Sequence, residues 1–222
     1  MAGFPDIRAV IFDMDGVLLD SEPLHHAAMN AVLASYGYSV EDAEFSDYIG
    51  DSSENAWRAV ISRRALPGDL ADWVARYGDA VCAVISECGA PMPGLQALLE
   101  DLRQDGIPMA VASSSPMRWV ETSLDRIGVR SYFRALVGGE MLLRPKPAPE
   151  VFLRAALMLG VQPSGCLVIE DSPRGLEAAR EARMFVVALQ PGWSYLAPPL
   201  NPPDADLVVN SLVAFHAWWR SR

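Results

Sequence analysis

The 222-residue chain is long enough for one sizeable folded core, or for a core domain with a smaller insertion. Hydrophobic residues make up 51% of it and charged residues 21%, a balance that is typical of soluble globular proteins and excludes a disordered chain. The net charge of −10 argues against nucleic acid as a partner, and no apolar run approaches the roughly 20 residues that span a bilayer, so we expect no nucleic-acid and no membrane partner.

The N-terminal segment and the cysteines indicate a cytoplasmic protein. The first ten residues, MAGFPDIRAV, lack the basic region and apolar segment of a secretory signal. The three cysteines, Cys82, Cys88 and Cys166, are odd in number and have no CxxC spacing, which is typical of reduced thiols. We expect a monomer or a weak homodimer.

The first predicted strand, at residues 9–12, is followed by the acids Asp13 and Asp15 and then by Gly16. Its unbroken apolar run indicates a strand that is buried on both faces in a parallel sheet, where ligands gather at the carboxyl ends of strands. Two carboxylates one residue apart repel each other unless a cation lies beside them or one holds a proton. We therefore predict a divalent metal here. A solvated acidic turn is the ordinary alternative, and an EF-hand calcium loop would need acids at positions 1, 3 and 5 between two helices.

Helical periodicity then dominates, and no strand pattern returns until about residue 107. Apolar residues recur at helical spacing at 24–32, 52–64 and 69–87, and Ser52 and Asp69 are suitable N-caps for the last two segments. Residues 20–91 are thus predicted to form an all-helical cap, inserted into a core made of residues 1–19 and 92–222.

Strands and helices alternate in the rest of the chain. Strands are predicted at 107–112, 135–137, 167–169, 185–189 and 207–209, helices between them, and a proline-rich loop at 191–203. This alternation predicts an α/β fold with a doubly wound, parallel, Rossmann-like sheet and the inserted all-helical cap domain.

Polar side chains follow four of the predicted strands and should meet at one edge of the sheet. Each has an ordinary explanation when taken alone: a serine before a proline is usually an N-cap, a lysine among prolines is usually solvated, and Glu-Asp favours a helix N-terminus. Together they provide a nucleophile, a hydroxyl donor, a cation and a metal clamp. They are Asp13, Asp15, Ser113, Lys146, Glu170 and Asp171.

These segments resemble, in order, the motifs of the haloacid dehalogenase-like (HAD) phosphatase superfamily, in the branch that contains β-phosphoglucomutase and many small phospho-sugar phosphatases. The matching segments extend over nearly the whole chain and read DMDGVLLDSEPLHH, MAVASSS, KPAPEVF and VIEDSPRGLEAA. Pro145 departs from the glycine that often precedes the lysine in the family.

The resemblance implies a role for each matched residue in catalysis. Asp13 would attack phosphorus to form an aspartyl phosphate, and Asp15 would be the general acid and base. The phosphoryl group would be bound by Asp13, Ser113, Ser114, Lys146 and backbone N–H groups around Met14.

The resemblance also implies Mg²⁺ as the cofactor. Its expected ligands are the side chains of Asp13 and Asp171 and the backbone carbonyl of Asp15, with Glu170 in support. We therefore expect a phosphatase that hydrolyses a small phosphorylated metabolite, with a sugar phosphate as the favoured class.

A sugar-phosphate mutase is the main alternative. His25 falls on a histidine that β-phosphoglucomutases carry, although a histidine at the start of a helix is more often a capping or surface residue. Where the mutase pattern has an arginine and a lysine in the cap, this chain has Ser53 and Tyr77. His25, Arg58 and Arg76 remain candidate substrate contacts in the cap.

A phospho-accepting receiver or a non-catalytic binding module is a distant alternative. Receivers also place acids, a hydroxyl and a lysine at strand ends, but they are about half as long. They also lack the late acid pair of Glu170 and Asp171 and the helical insertion.

Overall fold

The computed structural model describes residues 6–190 and 205–221. The predicted proline-rich loop at 191–203 lies outside these residues. The described residues form two compact units, one made of Ser21–Gly89 and the other of the residues before and after it. In the described part of the chain, no helix is both long and apolar enough to cross a membrane.

The unit Ser21–Gly89 is built from helices. The N-cap predictions are confirmed, because the side chains of Ser52 and Asp69 accept hydrogen bonds from the backbone N–H groups of Asn55 and Ala71. The short α2 was not predicted, since four residues show no periodicity. The helices are α1 (Glu22–Ala34), α2 (Asp42–Phe45), α3 (Ser53–Arg64) and α4 (Leu70–Cys88).

Large aromatic side chains fill the space between the helices of this unit. Trp57 of α3 stacks on Trp73 of α4 with 5.3 Å between ring centroids, and Tyr77 lies 5.7 Å from Trp57. All three are buried, and burial of rings of this size is worth a few kcal/mol each.

The second unit contains a parallel sheet with the strand order β3-β2-β1-β4-β5-β6. All four residues of β1 are buried, as expected for a strand near the middle of such a sheet. The prediction of a doubly wound parallel α/β sheet is confirmed. The strands are β1 (Ala9–Phe12), β2 (Met109–Ala112), β3 (Phe133–Val137), β4 (Cys166–Glu170), β5 (Phe185–Leu189) and β6 (Leu207–Val209).

Helices connect these strands. Ser172 caps α8 by accepting from the backbone N–H of Gly175, and Pro173 occupies its first turn. The helices of this unit are α5 (Leu95–Gln104), α6 (Met117–Arg126), α7 (Glu150–Leu159), α8 (Pro173–Glu181) and α9 (Leu212–Arg220). The sequence predicted α5 to α8 but not α9.

Helix α9 is anchored on α5 by both apolar and polar contacts. Phe215 and Trp219 are buried. The indole N–H of Trp219 donates to Asp105 at 2.9 Å, and His216 Nε2 lies 2.7 Å from Asp101 Oδ2.

Replacing Trp219 should therefore destabilise the protein. We expect Trp219→Ala to lower the free energy of unfolding by about 3–5 kcal/mol, because it removes a buried ring together with its hydrogen bond. Urea denaturation followed by circular dichroism measures this change. Val213→Ala, at an exposed position of the same helix, is the control and should cost less than about 0.5 kcal/mol. Equal effects of the two substitutions would contradict the packing of α9.

Candidate active site

The candidate site lies where the strand order of the sheet reverses. The chain passes from β1 to β2 and β3 on one side, and then returns to β4 on the other side of β1. In doubly wound sheets, ligands bind in the crevice at the carboxyl ends of the strands at this point. Asp13 follows β1, Ser113 follows β2, and Glu170 is the last residue of β4.

Lys146 connects two of these strand ends, although it belongs to the loop after β3. Its Nζ lies 2.6 Å from Asp13 Oδ1 and 2.7 Å from Glu170 Oε1. The same ammonium lies 4.9 Å from the centroid of the Phe152 ring. The side chains of Lys146 and Asp13 are each 8% exposed and that of Glu170 is 1% exposed, so water screens this cluster very little.

The cluster has more acids than bases, and the pKa values reflect this. Burial raises the pKa of Asp13 to about 8, and the nearby charges of Glu170 and Asp15 add to this rise, while Lys146 opposes it. Burial and the charges of Glu170 and Asp13 likewise raise the pKa of Asp171 well above its ordinary value. Burial alone would lower the pKa of the Lys146 ammonium, but the charges of Asp13 and Glu170 outweigh it and raise that pKa. The site therefore favours an additional cation.

Glu170 is held by the turn that follows β4. Its Oε2 accepts hydrogen bonds from the backbone N–H groups of Asp171 at 2.6 Å and Ser172 at 2.8 Å, while Oε1 faces Lys146. A side chain at Gly175 would overlap the Glu170 carboxylate, so the first turn of α8 needs glycine there. Both oxygens of Glu170 are therefore engaged by donors of the protein itself.

Three carboxylates are close enough together to hold a metal ion. Asp13, Glu170 and Asp171 each have an oxygen within 4.8 Å of the other two. Oxygen ligands of this kind suit Mg²⁺. Since Glu170 already accepts several hydrogen bonds, Asp13 and Asp171 are the better candidates for direct ligands. The Asp171 carboxylate also packs against the backbone of Gly16, whose φ of 70° and lack of a Cβ allow this approach.

Asp15 lies beside the serines that follow β2. Ser115 Oγ donates to Asp15 Oδ2 at 2.8 Å, and Ser113 Oγ lies 3.5 Å from the same oxygen. Ser113 Oγ also accepts from the backbone N–H of Ser115 at 2.9 Å. Ser113 and Ser114 were predicted from the sequence as phosphate-binding residues, but Ser115 was not. The run of three serines was the available signal.

Ser114 and Met14 were also predicted to bind the phosphoryl group, and their side chains lie in different surroundings. Ser114 is exposed, and its carbonyl oxygen is in close contact with Gly139. The side chain of Met14 is buried, and its carbonyl accepts hydrogen bonds from the N–H groups of Val17 and Leu18, which shapes the turn that carries both acids.

The remaining candidates belong to the helical unit. His25 Nδ1 lies 2.9 Å from the hydroxyl oxygen of Tyr77, which links α1 to α4. Arg76 donates to the hydroxyl of Tyr36 at 2.9 Å and lies over the ring of Trp73. Arg58 is exposed on α3.

Two further arginines of α3 are engaged by acids of their own unit. Arg64 Nη2 lies 2.7 Å from Glu44 Oε2, and Arg63 lies 3.4 Å from both Glu44 and Asp47. Hydrogen bonding to Arg64 lowers the pKa of Glu44 to about 2, so this acid stays ionised.

Known proteins resemble this chain over most of its length. The profile of the haloacid dehalogenase-like hydrolase family matches residues 10–189. A phosphorylated carbohydrates phosphatase of Thermotoga maritima is 33% identical over 176 residues, which are 79% of this chain and 82% of that protein. A fructose-1-phosphate phosphatase of Escherichia coli K12 is 33% identical over 178 residues, 80% of this chain and 94% of that protein.

Solved structures share the fold as well. The crystal structure of CbbY from Rhodobacter sphaeroides in complex with phosphate is similar with a TM-score of 0.80 and 26% sequence identity, over 92% of this chain and 94% of that one. The family profile, the two relatives and the acids at the sheet's switch point agree, and this chain belongs to the haloacid dehalogenase-like hydrolase family.

Proposed function

We propose that this enzyme is a Mg²⁺-dependent phosphatase that hydrolyses a small phosphomonoester, with a sugar phosphate as the substrate class, through an aspartyl phosphate on Asp13. The observation that carries the proposal is the buried Asp13 carboxylate, 2.6 Å from the Lys146 ammonium at the switch point of the sheet. The sugar-phosphate class is supported by the names of the two relatives, which act on phosphorylated carbohydrates and on fructose 1-phosphate.

The first step is attack by a carboxylate oxygen of Asp13 on phosphorus. A P–O bond forms to Asp13, and the P–O bond to the substrate alcohol breaks. Asp15, as the protonated acid, gives its proton to the departing oxygen, so the alcohol leaves neutral. Splitting one displacement into two easier ones is the advantage of a covalent intermediate.

The second step releases phosphate. Asp15, now a carboxylate, takes a proton from a water molecule whose oxygen attacks the phosphorus of the aspartyl phosphate. The bond to Asp13 breaks, which regenerates its carboxylate, and Asp15 again carries the proton. The hydroxyl of Ser115, 2.8 Å from Asp15 Oδ2, orients the acid for both transfers.

Charge on the phosphoryl oxygens is offset by Lys146. An ammonium has three donors, and Asp13 and Glu170 accept two of them, which leaves one for the substrate. When bound, Mg²⁺ would supply further positive charge to offset that of the phosphoryl group. Asp13, Asp171 and the Asp15 carbonyl would hold the ion, while Glu170 orients Lys146 and the turn after β4.

We propose that the helical unit Ser21–Gly89 is a cap that selects the alcohol part of the substrate, because the core residues address the phosphoryl group alone. A mutase must also hold a second phosphate, which requires a further cationic site. Arg63 and Arg64 are engaged by Glu44, and Arg76 is occupied with Tyr36 and Trp73. Three of the four arginines of the helical unit are thus engaged, and Arg58, exposed on α3, remains, which favours hydrolysis over the mutase reaction.

Replacing the nucleophile should abolish turnover. Asp13→Asn keeps the shape of the side chain but cannot attack phosphorus, so phosphate release should fall by at least roughly 10³-fold. A colorimetric phosphate assay on a phosphosugar panel measures this, and the exposed Asp125→Asn is the matched control, expected to keep full activity. Activity of Asp13→Asn within tenfold of the wild type would sink the assignment.

Mg²⁺ should raise the melting temperature more at pH 8 than at pH 5. The pKa of Asp13 is raised to about 8, so between its ordinary value and pH 8 the folded state holds a proton that the unfolded state has lost. Without metal, stability should therefore fall as the pH rises toward 8. A cation must displace this proton, which is easier at pH 8.

Thermal melts in EDTA and in Mg²⁺ at both pH values measure this difference. Asp171→Asn should weaken the response to Mg²⁺ at pH 8, while Asp125→Asn should leave it unchanged. An identical response at pH 5 and pH 8 would contradict a metal site built from protonated buried acids.

A substrate panel should distinguish a phosphatase from a mutase. We expect net phosphate release from several phosphorylated sugars and little conversion of β-glucose 1-phosphate into glucose 6-phosphate. Free phosphate and glucose 6-phosphate are measured side by side in the presence of Mg²⁺ and a trace of the sugar bisphosphate. Rapid isomerisation with negligible phosphate release would make the mutase the correct function and give His25 a part in it.

A further inference from the structure

The backbone of Lys146 is held by a residue that the catalytic scheme does not use. Arg174, in the first turn of α8, donates two hydrogen bonds to the carbonyl oxygen of Lys146, from Nε at 3.1 Å and from Nη2 at 2.6 Å. Two donors converging on one oxygen fix the direction of the carbonyl as well as its distance, which the point charge of a lysine ammonium does less well.

The loop around Lys146 has few backbone donors of its own. Pro145, Pro147 and Pro149 carry no N–H group, so side chains have to supply much of the hydrogen bonding. At the start of this loop, the Glu150 carboxylate accepts from the backbone N–H groups of Leu143 and Arg144 at 3.1 and 3.0 Å. In the middle of the loop, the backbone N–H of Ala148 donates to the carbonyl of Pro145 at 3.0 Å, and Arg174 supplies the side-chain restraint.

The segment from Glu170 to Arg174 therefore holds both the side-chain ammonium and the backbone carbonyl of Lys146. Glu170, at the end of β4, binds the ammonium, and Arg174, four residues later, binds the carbonyl. Between these two points lie four rotatable side-chain bonds, so fixing only the ammonium would leave the backbone free to shift. Fixing both leaves little freedom for either.

We propose that Arg174 is a positioning residue for phosphoryl transfer, which sets the Lys146 backbone so that the ammonium lies between Asp13 and Glu170. This inference rests on the proposed phosphatase activity. Arg174 acts through Lys146 and does not touch the phosphoryl group. Its loss should therefore affect the transition state, in which Lys146 must meet the phosphoryl oxygens in a defined geometry, more than the binding of substrate.

Kinetics of matched variants test the positioning role. Arg174→Ala should lower kcat at least tenfold and change KM less than threefold, and Arg174→Lys should restore only part of the loss. Guanidinium at low millimolar concentration should partly rescue Arg174→Ala and leave the wild type unaffected. Arg180→Ala, which removes an exposed arginine from the last turn of the same helix, should match the wild type. A kcat for Arg174→Ala within twofold of the wild type, or full restoration by lysine, overturns the proposal.

The composition of the chain offers a second measurement that needs no activity. Lys146 is the single lysine among 18 basic residues, so mild acetylation modifies only this side chain and the N-terminal amine, which serves as an internal reference. Mass spectrometry should show Lys146 reacting at least fivefold faster in Arg174→Ala than in the wild type. Trp219→Ala, which destabilises the protein at α9, controls for a general loss of stability. Lys146 should react more slowly in this variant than in Arg174→Ala.

The two measurements separate the failure of each proposal. A wild type without phosphate release under all conditions overturns the phosphatase proposal, while the acetylation rates still report whether Arg174 holds Lys146. Unchanged acetylation in Arg174→Ala overturns the positioning role, whatever the enzyme's activity. If Arg174→Ala does not fold, Arg174→Gln, which keeps a shorter donor, replaces it in both experiments with the same expected directions.

Discussion

The candidate active site depends on one buried ammonium shared by two carboxyl groups. Lys146 lies between Asp13 and Glu170, with Asp15 and Asp171 close by, and very little of the ion pairs is exposed. Removing these charges from water costs several kcal/mol per ion, and good geometry recovers only part of it. Four carboxyl groups share one lysine, and burial together with their mutual repulsion raises the pKa of Asp13 and Asp171. Such a cluster contributes little to stability, but under the proposed function it would be preorganised to bind a cation and the phosphoryl group of a substrate.

The topology of the sheet explains why these residues meet. These residues are far apart in sequence, and 133 positions separate Asp13 from Lys146. In a doubly wound sheet, however, every strand ends at the same edge, and the reversal of strand order opens a crevice between β1 and β4. The strands β1, β2 and β4 consist mostly of buried apolar residues and are only four or five residues long. Each places a polar residue at or just beyond its carboxyl end.

Much of this could be predicted from sequence, because the signals are local. The apolar run at residues 9–12 indicates a buried strand with a pair of acids at its end, and the alternation from residue 95 onward indicates the sheet. Helix α9 was missed because its nine residues are rich in aromatics, which are enriched in strands. Tertiary contacts stabilise this helix, since α9 binds Asp101 of α5 and Asp105, which directly follows α5.

The choice among chemically identical residues could not be predicted. Ser113, Ser114 and Ser115 are consecutive, and only the backbone path after β2 determines that Ser115 faces Asp15 while Ser114 is exposed. A motif marks such a segment but does not say which hydroxyl makes which bond.

Arg174 and Lys146 do carry signals in the sequence, and both are departures from what is favourable or common. A cation in the first turn of a helix is mildly unfavourable beside the helix dipole, and the hydrogen bonds to the carbonyl of Lys146 offset this for Arg174. All other basic residues of the chain are arginines. An arginine at position 146 would spread its charge over a planar guanidinium with five N–H donors. The compact ammonium of a lysine fits between two carboxyl groups and keeps a third N–H donor. Under the proposed function, the single lysine lies where a point charge suits phosphoryl transfer, and the arginine beside it supplies a rigid pair of donors to its backbone.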